Sequence, residues 1–185
     1  METERLILRQ WKDADYDLYA ELNANPIVMR YFPDTYSKLE SDNQANHIRD
    51  LIAKNGWGFW AVELKSTGQF IGFVGLNRID GESGIPNVPF IEIGWRLSSE
   101  FWGFGYAPEA AGKALEFAFE TLRSPAIYAF TPLQNEPSKR VMQKLGMVDT
   151  LQDFNHPKAP DESSLARHCL YRITKEQWFE SSHHS

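Results

Sequence analysis

The stretch that decides the fold is EIGWRLSSEFWGFGYAPEA, residues 92–110. It begins as an apolar strand, passes through a loop with Gly103 and Gly105, and continues into an alanine-rich segment with helical spacing. A glycine loop before a helix exposes backbone N–H groups at the helix start, where phosphate groups bind. The stretch therefore indicates a phosphate-binding turn, although a glycine turn with a solvated helix end would show the same local pattern.

The start of this helix favours an anion and excludes two common nucleotide sites. Pro108 suits the first helical position, which makes Ala107 the expected N-cap, and alanine has no side-chain oxygen for the free N–H groups. Pro108 also occupies the third glycine position of the dinucleotide fingerprint. No Gly-Lys-Ser/Thr sequence occurs either, so the pattern argues against NAD and against a P-loop for ATP.

The rest of the chain predicts one mixed α/β domain over residues 1–185, with a central sheet of about seven strands flanked by helices. Expected strands are 5–9, 57–64, 69–79, 90–97, 126–131, 148–154 and 165–173. Expected helices cover about 13–24, 40–54, 108–122 and 135–145, and Thr174 is the expected cap of a last turn at 174–179.

Composition narrows the function classes. A net charge of −6 argues against nucleic-acid binding, and the longest apolar stretches are far shorter than the roughly 20 residues of a membrane helix. Charges inside the first ten residues speak against a signal peptide. The single cysteine, Cys169, is expected to fill the core, and His156 and His168 lack ligand-spaced partners. We therefore expect a cytoplasmic protein without a metal, a nucleic acid or a membrane as partner; the oligomeric state stays open.

Four motifs, in order along the chain, resemble the GNAT superfamily of acetyltransferases, in the branch of the ribosomal-protein alanine N-acetyltransferases. The family's loop pattern, Gln/Arg-x-x-Gly-x-Gly/Ala, falls on Trp102–Ala107, with Trp102 in place of the Gln/Arg. Its continuation reads Pro108-Glu109-Ala110. The other three motifs are Thr3–Arg9, Asn135–Met147 with its Asn-x-x-Ser start, and Tyr171–Thr174.

The resemblance implies a mostly antiparallel mixed sheet whose fourth and fifth strands splay apart around acetyl-coenzyme A. It implies that backbone groups of Trp95 and Leu97 pair with the pantetheine arm, and that Asn135 bonds the same arm. The resemblance assigns the pyrophosphate to the backbone amides of Gly103, Phe104, Gly105, Tyr106 and Ala107. Gly94, in the middle of its strand, fits either a bulge or a close packing contact.

The resemblance also gives candidate catalytic groups. Glu92 is the expected base, acting directly or through a water, and the alternative is a strand carboxylate paired with an arginine. Ser138 is the candidate donor to the departing sulfur, because no tyrosine occurs between Asn135 and Gly146. The alternative for Ser138 is an ordinary helix-start residue behind Asn135 as the N-cap.

These implications predict an N-acetyltransferase that moves the acetyl group to a primary amine by direct attack. The acceptor is either a protein N-terminal α-amine, which the branch favours, or a small amine such as a polyamine, an amino acid or an antibiotic. A non-catalytic acyl-CoA-binding module is the alternative from another class of protein. Acceptor choice is expected to depend on residues 25–60 and on the loops 80–89 and 155–164.

Overall fold

The computed structural model describes residues 1–182, and its eight strands form one mixed sheet in the order β1-β2-β3-β4-β5-β8-β6, with β7 paired to β8. The strands are β1 (Leu6–Arg9), β2 (Phe59–Leu64), β3 (Phe70–Ile79), β4 (Phe90–Leu97), β5 (Ala126–Pro132), β6 (Val148–Asp149), β7 (Phe154–Asn155) and β8 (Arg167–Thr174). The helices are α1 (Asp15–Ala24), α2 (Lys38–Asn55), α3 (Tyr106–Glu116), α4 (Glu136–Lys144) and α5 (Lys175–Ser182), and a π-helical turn (Phe117–Thr121) continues α3.

The chain forms two compact units that alternate along the sequence. The first unit comprises Met1–Leu76 and Gly94–Ala114; the second comprises Asn77–Ile93 and the chain from Leu115 onward. Strands β3 and β4 each run through both units.

The first unit is built on the β1–β2–β3 meander and on helices α1 and α2. Antiparallel pairing of β1 with β2 and of β2 with β3 turns alternate apolar residues such as Leu6 and Leu8 into the core. Helix α2 begins with a capping box, in which Ser37 and Glu40 satisfy each other's backbone N–H groups. It ends at Gly56, in the left-handed conformation that the Asn-Gly pair predicts.

The second unit contains β5, β8 and the paired part of β4. Strand β4 runs parallel to β5, but their pairing covers only Ile91 with Ile127 and Glu92 with Tyr128, as separating strands require. Strand β5 pairs with β8 along its whole length, antiparallel. The buried residues Ile85, Phe90, Phe154 and Leu170 form a hydrophobic cluster in this unit.

The sequence predicted most elements, and two predictions about them were wrong. The expected strand at 148–154 is two strands of two residues each, β6 and β7, because the chain between them turns. The Asp149 carboxylate accepts the N–H of Leu151 at 2.9 Å, and Leu151 adopts a φ of +58°. Such local side-chain bonds compete with strand pairing. The sheet therefore has eight strands. The second wrong prediction is the residue at which α3 begins, and this residue lies in the candidate site.

Candidate active site

The glycine loop, residues Gly103–Ala107, lies in the first unit between a 3₁₀ turn at Ser99–Phe101 and helix α3. Gly103 and Gly105 have φ values of +83° and +81°, which residues with a side chain rarely adopt. Each of the two glycines therefore has a backbone conformation that a side chain would strain. The two glycines predicted from the sequence are thus required by the backbone itself.

Helix α3 begins two residues earlier than predicted, so Ala107 is not its N-cap. The first helical bond runs from the Glu109 N–H to the Gly105 carbonyl at 3.2 Å, which places Gly105 at the cap. Pro108 is then the third helical residue. Proline fits there because the N–H groups of the first turn have no partner inside the helix.

The loop presents a row of unused backbone donors. Among the described residues, none of the five N–H groups from Gly103 to Ala107 donates a hydrogen bond to the protein. A Cβ built on Gly103 would meet nothing within 4 Å, so the loop surface there is open. Free N–H groups at a helix start attract anions, because the helix dipole adds to their partial charges. The loop therefore offers donors to an anionic group, and binding of the coenzyme A pyrophosphate there stays a prediction.

Three side chains that sequence reasoning missed fix the start of α3 against the N-terminal segment. Glu109 forms an ion pair with Arg5 at 2.6 Å and accepts the Thr3 hydroxyl at 2.6 Å. The Arg5 guanidinium also lies 4.5 Å from the centre of the Tyr106 ring. The motif at Thr3–Arg9 thus has a structural reason: it anchors the helix whose start the glycine loop forms.

Strand β4 carries Trp95 and Leu97 in the first unit. The Leu97 carbonyl already accepts the Trp102 indole N–H at 2.9 Å, which ties the strand end to the residue before the glycine loop. A Cβ on Gly94 would lie 3.1 Å from a ring carbon of Phe59. Close packing against this ring therefore explains the glycine. Pairing of the Trp95 and Leu97 backbones with pantetheine stays a prediction.

Glu92 lies in the second unit, partly buried on β4, opposite Tyr128 of β5. The Asn77 side-chain amide donates to its carboxylate at 3.0 Å. No ion pair among the described residues includes Glu92, so the alternative of a carboxylate paired with an arginine lacks support. Burial raises the pKa of the Glu92 carboxyl to about 7, although the Asn77 bond and the charge of Lys158 act in the opposite direction.

Two histidines that are distant from each other in sequence become neighbours in the second unit. Pairing of β7 with β8 brings the rings of His156 and His168 to a centroid distance of 4.9 Å. The pKa of His156 is lowered to about 4, mainly by burial and in addition by the neighbouring His168 and Lys158. His156 is therefore neutral near pH 7. No group of three or more metal-ligating side chains occurs in residues 1–182.

Asn135 caps helix α4, as the sequence predicted. Its side-chain oxygen accepts the Ser138 N–H at 3.2 Å, and its amide donates to the Thr131 hydroxyl at 2.8 Å. The hydroxyl of Ser138 makes no hydrogen bond within the described part of the chain. The cap uses only the backbone of Ser138, which leaves its side chain free for another role. Catalysis by Ser138 and pantetheine binding by Asn135 stay predictions.

Two further sequence expectations concern burial and membranes. Cys169 is buried on β8, its thiol contacts the Thr131 carbonyl at 3.5 Å, and burial raises the pKa of this thiol. This burial confirms the expectation that Cys169 fills the core. In residues 1–182 the helices are too short or too polar to cross a bilayer.

Comparison with known proteins identifies the family. Residues 5–148 match the family model described as an acetyltransferase (GNAT) domain. An uncharacterized N-acetyltransferase p20 of Bacillus licheniformis is 30% identical over 84% of this chain and 87% of its own length. The FsC-acetyl coenzyme A-N(2)-transacetylase of Aspergillus fumigatus is 34% identical over 96% of this chain and 77% of its own. A GNAT-family acetyltransferase structure from Bacillus anthracis superposes with a TM-score of 0.77 at 27% identity, covering 95% of this chain and 98% of that one.

The chain therefore belongs to the GNAT family of acetyltransferases. Its open α/β sheet, with β4 and β5 parallel, is the fold that the resemblance implied. The comparisons support an enzyme that uses acetyl-CoA, not a non-catalytic module.

Proposed function

We propose that this protein transfers the acetyl group of acetyl-CoA directly to a primary amine, and that Glu92 accepts the proton which the amine loses. The observation that supports Glu92 most strongly is its environment. Its carboxyl is partly buried, is held by one neutral donor from Asn77, and has a pKa of about 7. An ordinary glutamate is far more acidic and would take a proton from an amine poorly near pH 7.

Proton transfer explains why this pKa suits the reaction. The attacking nitrogen needs its lone pair to form the bond to the acetyl carbon, and the new N–C bond makes its N–H acidic. A carboxylate whose pKa lies near the working pH is ionised often enough to act and basic enough to hold the proton. Bound acetyl-CoA supplies the activated acetyl group, and the departing thiolate leaves with the rest of the cofactor.

The glycine loop is the proposed holder of the cofactor. The five free N–H groups of Gly103–Ala107 supply donors to the pyrophosphate, and the start of α3 supplies a favourable dipole. Ser138 is the proposed donor to the departing sulfur, which its free hydroxyl supports. The backbones of Trp95 and Leu97 and the Asn135 amide are the proposed partners of the pantetheine arm.

The acceptor belongs to one of two classes of primary amine. A protein N-terminal α-amine is favoured by the motifs shared with ribosomal-protein alanine acetyltransferases, Thr3–Arg9 and Asn135–Met147. A small amine is the second class. The unpaired Nε of the buried Arg96 favours a small amine that carries a carboxylate.

The function is tested by measuring thiol release from acetyl-CoA over a panel of peptides and small amines. The panel contains peptides that begin with alanine, polyamines, amino acids and amino-acid amides. Mass spectrometry of the products then shows which nitrogen carries the acetyl group. Release of thiol that depends on an amine, and that Glu92→Gln reduces, supports the proposal. A panel on which no amine is acetylated, in a protein that binds acetyl-CoA, contradicts it.

A further inference from the structure

Arg96 of β4 is a buried cation that has no carboxylate partner among residues 1–182. Only 7% of its surface is exposed. Its hydrogen bonds all come from one nitrogen, Nη1, which donates to Asn23 at 2.8 Å, Gln44 at 3.2 Å and the Tyr19 hydroxyl at 3.4 Å. All three acceptors are uncharged. Within residues 1–182, no carboxylate lies at ion-pair distance from this guanidinium.

Arg9 of β1, in the same unit, is only partly buried, and its guanidinium is nevertheless fully paired with carboxylates. Its Nε donates to Glu63 at 2.6 Å, and its Nη1 and Nη2 donate to Asp15 at 2.7 and 2.9 Å. Both edges of that guanidinium are thus paired with carboxylates. A buried charge that lacks such partners is costly, and a carboxylate from outside the chain would offset this cost.

The unused donors of Arg96 lie together on one edge of the guanidinium. Its Nε is buried and has no hydrogen-bond partner, and its Nη2 makes no hydrogen bond within the described residues. These two N–H groups point in parallel and match the two oxygens of a carboxylate. The occupied Nη1 holds the group in place, so the free edge is already oriented.

Aromatic rings around Arg96 restrict how a ligand reaches it. The rings of Phe32, Phe73 and Tyr36 lie 4.4, 5.4 and 5.5 Å from the guanidinium carbon. Aromatic rings this close to a guanidinium stabilise its charge and lower the local dielectric, which strengthens an ionic hydrogen bond made at its edge. Phe32 is itself 38% exposed, on the irregular segment between α1 and α2. One of the three rings beside the guanidinium therefore lies at the protein surface.

We propose that Arg96 binds the carboxylate of a small ligand through Nε and Nη2. The carboxylate has two possible sources: the amine acceptor itself, or a separate small molecule that binds beside it. Only the first source rests on the proposed acetyl transfer. The binding experiments below use acetate as the probe and need no enzymatic activity.

Nuclear magnetic resonance of the wild-type protein tests binding directly. The Nε–H signal of Arg96 is followed during a titration with sodium acetate and, separately, with sodium chloride at the same ionic strength. We expect the Arg96 signal to move and saturate with acetate alone. The Nε–H of Arg9 is the internal control, because it is already bonded to Glu63 and should not respond. An Arg96 signal that ignores acetate overturns the proposal.

Thermal unfolding of variants adds a second measurement. With acetate at about five times its Kd, the Tm of the wild type should rise by roughly 2–4 °C over the chloride control. Arg96→Lys keeps the charge but lacks the two parallel donors, so it should lose more than half of this rise. Arg96→Met should lose all of it. A folded Arg96→Lys protein with the full wild-type response contradicts binding through Nε and Nη2.

The source of the carboxylate is found by comparing L-alanine with L-alaninamide as acceptors, since the two differ only in the carboxyl group. If the acceptor supplies the carboxylate, Arg96→Lys should lower kcat/KM at least tenfold for alanine and less than twofold for alaninamide. A separate ligand would instead make acetate change the rate with both acceptors. If neither amine is acetylated, this acceptor class is wrong, while the acetate titration still decides whether Arg96 binds a carboxylate.

Discussion

Glu92→Gln tests the central chemical claim, because glutamine keeps the size and the oxygen that accepts from Asn77 while removing the titration. With a pKa of about 7, about one tenth of the wild-type carboxyl is ionised at pH 6, half at pH 7 and nine tenths at pH 8. The acidic limb of kcat/KM should therefore rise about tenfold for each pH unit below 7. Glu92→Gln should lose this limb and run about 10²–10⁴-fold slower at pH 7.5.

The assay is kcat/KM against pH from 5.5 to 9 for both proteins, after equal acetyl-CoA affinity has been confirmed. An amine acceptor adds its own titration, so the difference between the two profiles isolates Glu92. Asn77→Leu changes the pKa of Glu92 without removing its carboxyl group. Loss of the Asn77 donor raises this pKa, so the acidic limb of the variant should lie at a higher pH than that of the wild type. Glu21→Gln, on the exposed side of α1, is the matched control and should leave the profile unchanged. Superimposable profiles for wild type and Glu92→Gln would refute the assignment.

The same pKa predicts an unusual dependence of stability on pH. Because the folded pKa of about 7 lies above the ordinary value of 4.5, the folded protein holds this proton more tightly than the unfolded chain does. Stability from Glu92 is therefore fully present below pH 4.5 and is lost as the pH rises to about 7. The difference corresponds to at most about 3 kcal/mol. Denaturant unfolding should find Glu92→Gln more stable than wild type at pH 8 and nearly equal at pH 4.5; a wild type that gains relative stability at pH 8 would contradict the raised pKa.

Three other predictions address the glycine loop, helix α4 and the core. Gly105→Glu should weaken acetyl-CoA binding in calorimetry by more than Gly105→Ala, because both variants strain a φ of +81° and only glutamate adds a charge that repels phosphate; equal affinities would place the pyrophosphate elsewhere. Ser138→Ala should lower kcat about 10- to 1000-fold with little change in cofactor affinity, and an unchanged rate of the chemical step would return Ser138 to a helix-start role. Asp15→Asn should lower the free energy of unfolding by about 3 kcal/mol, because it removes the charge of a buried carboxylate that is paired with Arg9. The exposed Asp17→Asn should change it by less than about 0.5 kcal/mol, and equal effects in urea unfolding would contradict that reasoning.

The sequence by itself determined the elements whose signals are local. Strand β4 has the predicted bounds, Phe90–Leu97, because a mostly apolar run between a proline and a serine pair is a local signal. The two turns of the glycine loop and the Asn135 cap were equally readable, since they depend on what one residue type can adopt or accept within four positions. The motifs around these elements were sufficient for the family.

Only the tertiary structure decided the chemical properties of the site residues. The pKa of Glu92 depends on burial and on Asn77, 15 positions away, and the pairing of His156 with His168 depends on the register of β7 and β8. Arg96 reads in the sequence as one more strand arginine. Its neutral partners come from α1 and α2, 52 to 77 positions earlier in the chain, and they leave the edge with Nε and Nη2 free. Electrostatic energies depend on distances through space and on the exclusion of water, and neither is encoded in the local spacing of residues along the chain.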